Sequence, residues 1–228
     1  MFRPKRHELP VIGYYNYSVI VTYLGFLMGI YGMALALTGR VRGAIICLIM
    51  CGLCDMMDGA IARTCKRTEA AMCFGVQIDS LCDMVCFGVF PAIIGFAVGP
   101  DSAFTLISCM VFSLAAVIRL AYFNVQEILK EPDAEKRTHY TGLPVTTSAI
   151  LMPVFALICA IPKVTSYVYP AGLLVIGILF ISRFKVKKPY GKALIAMALI
   201  GAVILTLIII YGGSIPCSRI FIEAVLAE

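Results

Sequence analysis

Charge is scarce in this chain. Asp, Glu, Lys and Arg make up 14% of its 228 residues, where a soluble domain carries about 25%. With 61% of the residues hydrophobic, that shortage excludes an ordinary soluble domain and makes the chain an integral membrane protein. Histidine is nearly absent. His7 and His139 lie far in sequence from the paired cysteines, which argues against a zinc site of His and Cys ligands. No internal repeat of the transporter kind is visible. The basic residues are dispersed over several loops, so nucleic acid is not an expected partner. No signal peptide is expected either, because the first apolar run is too long for an h-region and lacks a small-residue cleavage site.

What the chain has instead is apolar length. Apolar runs fall near 14–38, 43–63, 75–98, 102–126, 143–162, 166–183 and 192–212, each close to the ~20 residues a helix needs to cross hydrocarbon. The run at 166–183 is the shortest. The expected fold is all-α, a polytopic membrane bundle of six to seven transmembrane helices. An N-terminal cytoplasmic or interfacial segment (1–13) would precede a transmembrane domain (14–212), and a short tail (213–228) would follow. With the N-terminus inside, cytoplasmic segments hold 14 Lys and Arg and outer segments 4, so the positive-inside rule sets the orientation. The net charge of +6 then lies at the cytoplasmic surface, where anionic lipid headgroups attract it. The expected location is the cell membrane, multi-pass. Ten cysteines are present, but Cys51-x2-Cys54 and Cys82-x3-Cys86 sit inside apolar runs and read as small packing residues.

Against this background four aspartates stand out, in Asp55-Met-Met-Asp58-Gly59-Ala-Ile-Ala62-Arg63 and Gly75-Val-Gln-Ile-Asp79-Ser-Leu-Cys-Asp83. Each carboxylate near a bilayer centre costs roughly 2.5–3.5 kcal/mol, so four need an offset. Asp55 and Asp58 are spaced i,i+3, and Asp79 and Asp83 i,i+4, which puts each pair on one helix face. Gly59, Ala62 and Gly75 flank the pairs with almost no side chain, so a helix or a ligand can come close. Two such helices face to face would cage two divalent cations, Mg²⁺ or Mn²⁺, bridged by a phosphate-bearing substrate. The orientation places this site towards the cytoplasmic leaflet.

Other polar groups gather at the same ends. Asn16, Ser18 and Thr22 lie near the start of the first span and can approach the site, although Ser and Thr in membrane helices more often bond their own backbone. Pro144 suits the first turn of the fifth span. Arg63, Arg119 and Arg183 each adjoin an apolar run. Clamping phosphate oxygens or a substrate carboxylate would use the guanidinium fork; marking orientation or snorkelling would not. Arg119 lies about two turns from the end of its helix, too deep for an orientation charge alone.

Asp55-x2-Asp58-Gly59-x2-Ala62-Arg63…Gly75-x3-Asp79-x3-Asp83 resembles the signature of the CDP-alcohol phosphatidyltransferases, with all eight motif residues present. The gap between Arg63 and Gly75, eleven residues, is longer than is usual there. It falls in an expected loop, Thr64 to Phe74, and leaves both pairs intact. Phe74-Gly-Val-Gln-Ile-Asp79-Ser80-Leu-Cys-Asp83-Met-Val-Cys-Phe87-Gly88-Val-Phe-Pro91, Arg119-Leu-Ala-Tyr-Phe-Asn124 and Tyr140-Thr-Gly142-Leu-Pro144 are similar to the phosphatidylserine synthase branch. The resemblance covers roughly 10–190.

That resemblance implies the family's helical fold and transfer of a phosphatidyl group from CDP-diacylglycerol to L-serine. It implies Asp55, Asp58 and Asp79 as metal ligands and Asp83 as a further ligand or the general base. Gly59 and Ala62, with Arg63 and Gly75, would bind the CDP-lipid. Arg119, Asn124 and Arg183 are candidates for the serine or phosphate side. Membrane lipids are the surroundings, and a homodimer is the expected assembly. Two rivals remain. One is another acceptor in the same chemistry: glycerol 3-phosphate, inositol, inositol phosphate or choline. The other is a cation-coupled transporter with acids along its path.

Overall fold

The computed structural model describes residues 13–14, 17–62, 64, 68–129, 139–162, 164–187 and 192–217. The expected N-terminal segment, apart from Gly13, and the tail beyond 217 lie outside the described residues. So do Asn16, Arg63 and the loop cations Lys66, Arg67, Lys130, Lys136, Arg137 and Lys188.

Eight helical segments are described: α1 (Tyr17–Leu37), α2 (Val41–Ala62), α3 (Glu69–Asp83), α4 (Phe90–Val98), α5 (Ala103–Ile128), α6 (Ser148–Cys159), α7 (Val168–Ile181) and α8 (Lys192–Tyr211). A π-helical stretch, Met84–Val89, joins α3 to α4, so the two form one continuous span, Glu69–Val98. Among the described residues, five helices are long and apolar enough to cross a membrane. Their outward faces are apolar as lipid demands: Leu24 and Leu27 on α1, Met110 and Leu114 on α5, and Leu199 and Val203 on α8 are all exposed. The all-α, multi-pass expectation holds.

Local chemistry sets the turns. Gly39, at φ 75, closes α1. Its N–H reaches the Ala36 carbonyl and the Arg40 N–H reaches Leu35, a left-handed cap that only glycine adopts without cost. The chain then reverses directly into α2, and α1 packs along α2 more extensively than any other pair. Glycines make that contact close: a Cβ at Gly25 would lie 3.0 Å from Cys54 Cβ, and one at Gly32 would lie 2.7 Å from Cys47 Cβ. At the opposite end of α2, Arg42 donates through Nη2 to the Ile209 carbonyl near the end of α8, where cations suit the helix dipole.

Four features differ from expectation. α3 starts at Glu69, inside the expected loop: the Thr68 hydroxyl oxygen accepts from the Ala71 N–H at 3.3 Å, and Glu69 favours a helix start. α6 and α7 have 12 and 14 residues, or about 18 and 21 Å at 1.5 Å per residue, short of the ~30 Å of hydrocarbon. A 3₁₀ turn, Val145–Thr147, extends α6 at its start. Pro144 precedes that turn rather than opening the α-helix itself. Lastly, β1 (His139–Thr141) pairs antiparallel with β2 (Lys185–Lys187), Tyr140 opposite Val186, and ties the segment before α6 to the one after α7.

Candidate active site

The two acidic pairs meet. α2 carries Asp55 and Asp58, α3 carries Asp79 and Asp83, and all four line one narrow cleft with Thr22, Gly25 and Phe26 of α1. Asp55, Asp58 and Asp79 each offer an oxygen, and the three lie within 4.8 Å of one another. Opposed oxygens on a Mg²⁺ at about 2.1 Å stand about 4.2 Å apart, so small side-chain rotations close the triad on one ion. An all-carboxylate donor set suits a hard divalent cation. The observed residues therefore fit a metal.

Asp58 is the least exposed of the four, at 5% exposure. The Thr22 hydroxyl donates to its Oδ2 at 2.6 Å. Beneath, the thiols of Cys51 and Cys86 both reach the Gly25 carbonyl, at 3.3 and 3.7 Å. These cysteines serve as packing groups with a weak donor, as expected from sequence; the nine in the described residues are free thiols.

Asp83 sits where the α-helix becomes a π-helix. The N–H of Phe90 bonds back to Val85, a five-residue step that widens the turn, and such bulges are frequent at functional sites. Pro91 cannot supply the N–H that an α-helix would aim at the Phe87 carbonyl; the Ser148 hydroxyl of α6 donates there at 3.2 Å. Ser113 of α5 donates to the Gly88 carbonyl at 3.0 Å, and buried Tyr169 of α7 to Pro91 at 3.2 Å. Three neighbouring helices thus hold the widened turn. A Cβ at Gly88 would come within 2.8 Å of Met84 Sδ and 3.0 Å of Ala116, so a larger residue would have to displace the Met84 side chain and press on α5.

Next to the cleft lies a cavity of about 190 Å³ lined by Asp55, Asp79, Asp83, Arg119, Leu120, Phe123, Pro144, Val145 and Thr146. Arg119 is 6% exposed, and its Nε–H donates to the Leu143 carbonyl at 3.1 Å. Gly142 makes that possible. Its φ of +77 turns the chain where a Cβ would lie 3.0 Å from the Ser182 carbonyl, and its N–H bonds Phe184 at 2.7 Å. Three carboxylates and a guanidinium thus line a space of small-metabolite size. Asp55 also borders a separate apolar groove of about 220 Å³ between α2, α6 and α8, so the site has one polar and one apolar neighbour.

The remaining candidates divide. Gly59 is exposed, and a Cβ there meets nothing within 4 Å among the described residues. Ala62 ends α2 and Gly75 lies in α3, both half-buried. Asn124 accepts from Ser80 at 2.7 Å, tying α5 to the helix of the second pair, and it does not line the polar cavity. Arg183 is exposed between α7 and β2 and lines neither acidic space. Sequence reasoning left Thr22 between an approach to the site and a bond to its own backbone, and passed over Ser113, Thr146 and Ser148. The Gly88…Pro91 spacing is the one signal that could have marked the widened turn.

The CDP-alcohol phosphatidyltransferase profile matches residues 15–221, and the chain belongs to that family. Its curated relatives narrow the comparison. It is 32% identical over 161 residues to a CDP-diacylglycerol–serine O-phosphatidyltransferase of Saccharomyces cerevisiae, covering 66% of this chain and 57% of that protein. To the protein of the same name from Methanocaldococcus jannaschii it is 32% identical over 142 residues, 62% of each. To an archaetidylserine synthase of Methanothermobacter thermautotrophicus it is 30% identical over 141 residues, 60% of this chain and 56% of that one. The chain thus spans less than two thirds of the length of these relatives.

Proposed function

We propose that the protein transfers the phosphatidyl group of CDP-diacylglycerol to L-serine, giving phosphatidylserine and CMP. The observation that carries this reading is the cavity in which Asp55, Asp79 and Asp83 share a wall with buried Arg119, in a chain of this family whose relatives are named for serine transfer. Asp55, Asp58 and Asp79, with Asp83, would hold two divalent cations, Mg²⁺ or Mn²⁺, and such ions neutralise pyrophosphate charge.

The chain's own side chains do the rest. Arg119 binds the serine carboxylate through its fork. Asp83, on the cavity wall at the π turn, takes the proton of the serine hydroxyl. The hydroxyl oxygen forms its bond to the lipid-bearing phosphorus as the bond from that phosphorus to the CMP oxygen breaks. CMP leaves with the electron pair, and Asp83 later returns its proton to water. Gly59, Ala62, Arg63 and Gly75 border the nucleotide side. Asn124 acts through Ser80, bracing α3, and Arg183 is the most peripheral of the proposed contacts. Residues 14–212 form the catalytic bundle, working as a homodimer in the cell membrane. The excess of Lys and Arg on one set of loops supports a cytoplasmic site, where serine arrives from water and the lipid from the leaflet.

The test is incorporation of radiolabelled serine into lipid by purified protein, with CDP-diacylglycerol and Mn²⁺ or Mg²⁺. Label in lipid with one CMP released per serine is the expected result. Incorporation of glycerol 3-phosphate or inositol in place of serine would overturn the acceptor. No CMP release with any of these alcohols would overturn the enzyme reading.

A further inference from the structure

Thr22 differs from other threonines of the chain. Thr38, Thr64, Thr147 and Thr206 each donate to a carbonyl three or four residues back, the ordinary use of a hydroxyl at or within a membrane helix. Thr22 sends its hydroxyl across to another helix, onto the Oδ2 of Asp58, at 2.6 Å and out of contact with solvent. A threonine has one O–H to give, and here it goes to a carboxylate of the candidate metal triad. The close α1–α2 packing at Gly25, one turn along, brings the hydroxyl within reach. Asp58 is also the one acid of the four that lines the narrow cleft and not the polar cavity.

The geometry points to Thr22 as a positioning residue for the metal centre. Its hydroxyl fixes the plane of the Asp58 carboxylate, so that Asp58 meets Asp55 and Asp79 around a divalent cation with its rotation already set. Partners that hold a metal ligand in place from behind carry about 10–100-fold in metal affinity. The inference rests on the metal-dependent reading above.

Mn²⁺ binding tests it independently of turnover. Free Mn²⁺ is measured by electron paramagnetic resonance during titration of purified protein in lipid nanodiscs, for the natural chain, Thr22→Val, Thr22→Ser and Asp58→Asn. Val keeps the shape and removes the hydroxyl; Ser restores it. The expected result is Mn²⁺ affinity about tenfold weaker in Thr22→Val and recovered to within about threefold in Thr22→Ser. The metal-free unfolding temperature of Thr22→Val should stay close to that of the natural chain, and its half-saturating Mn²⁺ for turnover should rise in parallel. Natural affinity in Thr22→Val would overturn the proposal and leave the bond as helix packing. Equal weakening in Val and Ser would overturn it as well, assigning the effect to fit. If the natural chain bound no Mn²⁺ beyond Asp58→Asn, the metal reading itself would fall, and Thr22 with it.

Discussion

Each end of the bundle carries a cavity, and the two differ in what lines them. The larger, about 580 Å³, lies at the turn between α4 and α5, walled by Ala36, Leu37, Ile93, Phe96, Ala97 and Leu106, with exposed Asp101 as its charged residue. Its hydroxyls are committed locally: Ser102 and Thr105 bond each other, and Thr105 donates to the Pro100 carbonyl at 2.7 Å. The smaller, about 190 Å³, gathers three aspartates and an arginine from α2, α3 and α5. Size alone would direct attention to the wrong end. Convergent charge with protein built behind it is the better guide, because an apolar hollow costs a membrane protein little while a buried carboxylate needs a reason.

The strongest test of that contrast removes a carboxylate that belongs to both acidic spaces. Asp79→Asn should lower turnover at least ~10³-fold, since a lost metal ligand forfeits several kcal/mol of transition-state stabilisation. The variant should still insert in membranes and unfold cooperatively. Normal turnover by purified Asp79→Asn would remove the metal reading of the triad.

Asp83→Asn should have the next largest effect. Asparagine keeps the shape and one oxygen but cannot take a proton. Transfer should fall about 10²-fold or more, the low end for loss of a general base, while CDP-diacylglycerol and Mn²⁺ still bind. Loss of nucleotide binding would make Asp83 chiefly a ligand. Either result sharpens the difference between the two pairs: Asp58 sits enclosed behind Thr22, whereas Asp83 stands at a widened turn on the cavity wall.

Much of the carboxylate end was legible in sequence, because helical spacing of charges in an apolar run has few explanations. Asp55, Asp58, Asp79 and Asp83 come together as their spacing required, and Arg119 is buried as its depth required. The supports were not legible. Ser113 and Ser148 hold the π turn from helices 25 and 61 residues away, and no local pattern encodes that partnership. The start of α3 was hidden because its first turn, Glu69 onwards, is more polar than the run that follows. The β1–β2 ribbon was hidden because three-residue strands have no periodicity to read.

Arg119→Lys should act more narrowly. Lysine keeps the charge but has no planar fork and cannot reproduce the Nε–H bond to Leu143. Charged hydrogen bonds are worth about 1.5–3 kcal/mol, so the serine KM should rise at least about tenfold with membrane topology unchanged. Steady-state kinetics with serine varied at saturating CDP-diacylglycerol reads this directly. Natural values of both kcat and KM would return Arg119 to a role in holding the Gly142–Pro144 linker.

The smallest effect on chemistry is expected at the opposite end, where the comparison needs its control. Ser102 precedes α5, and its side-chain oxygen accepts from the Thr105 N–H at 3.3 Å, the arrangement of an N-cap. Ser102→Ala removes that acceptor and should lower stability by about 1 kcal/mol, measured as a shift in unfolding midpoint in mild detergent. It also alters the wall of the larger cavity. If that cavity has no part in the reaction, kcat and both KM values per folded molecule should stay within about twofold, since nothing at the acidic end has changed. A large change in the KM for CDP-diacylglycerol, at unchanged folded fraction, would connect the two ends and break the contrast drawn between them.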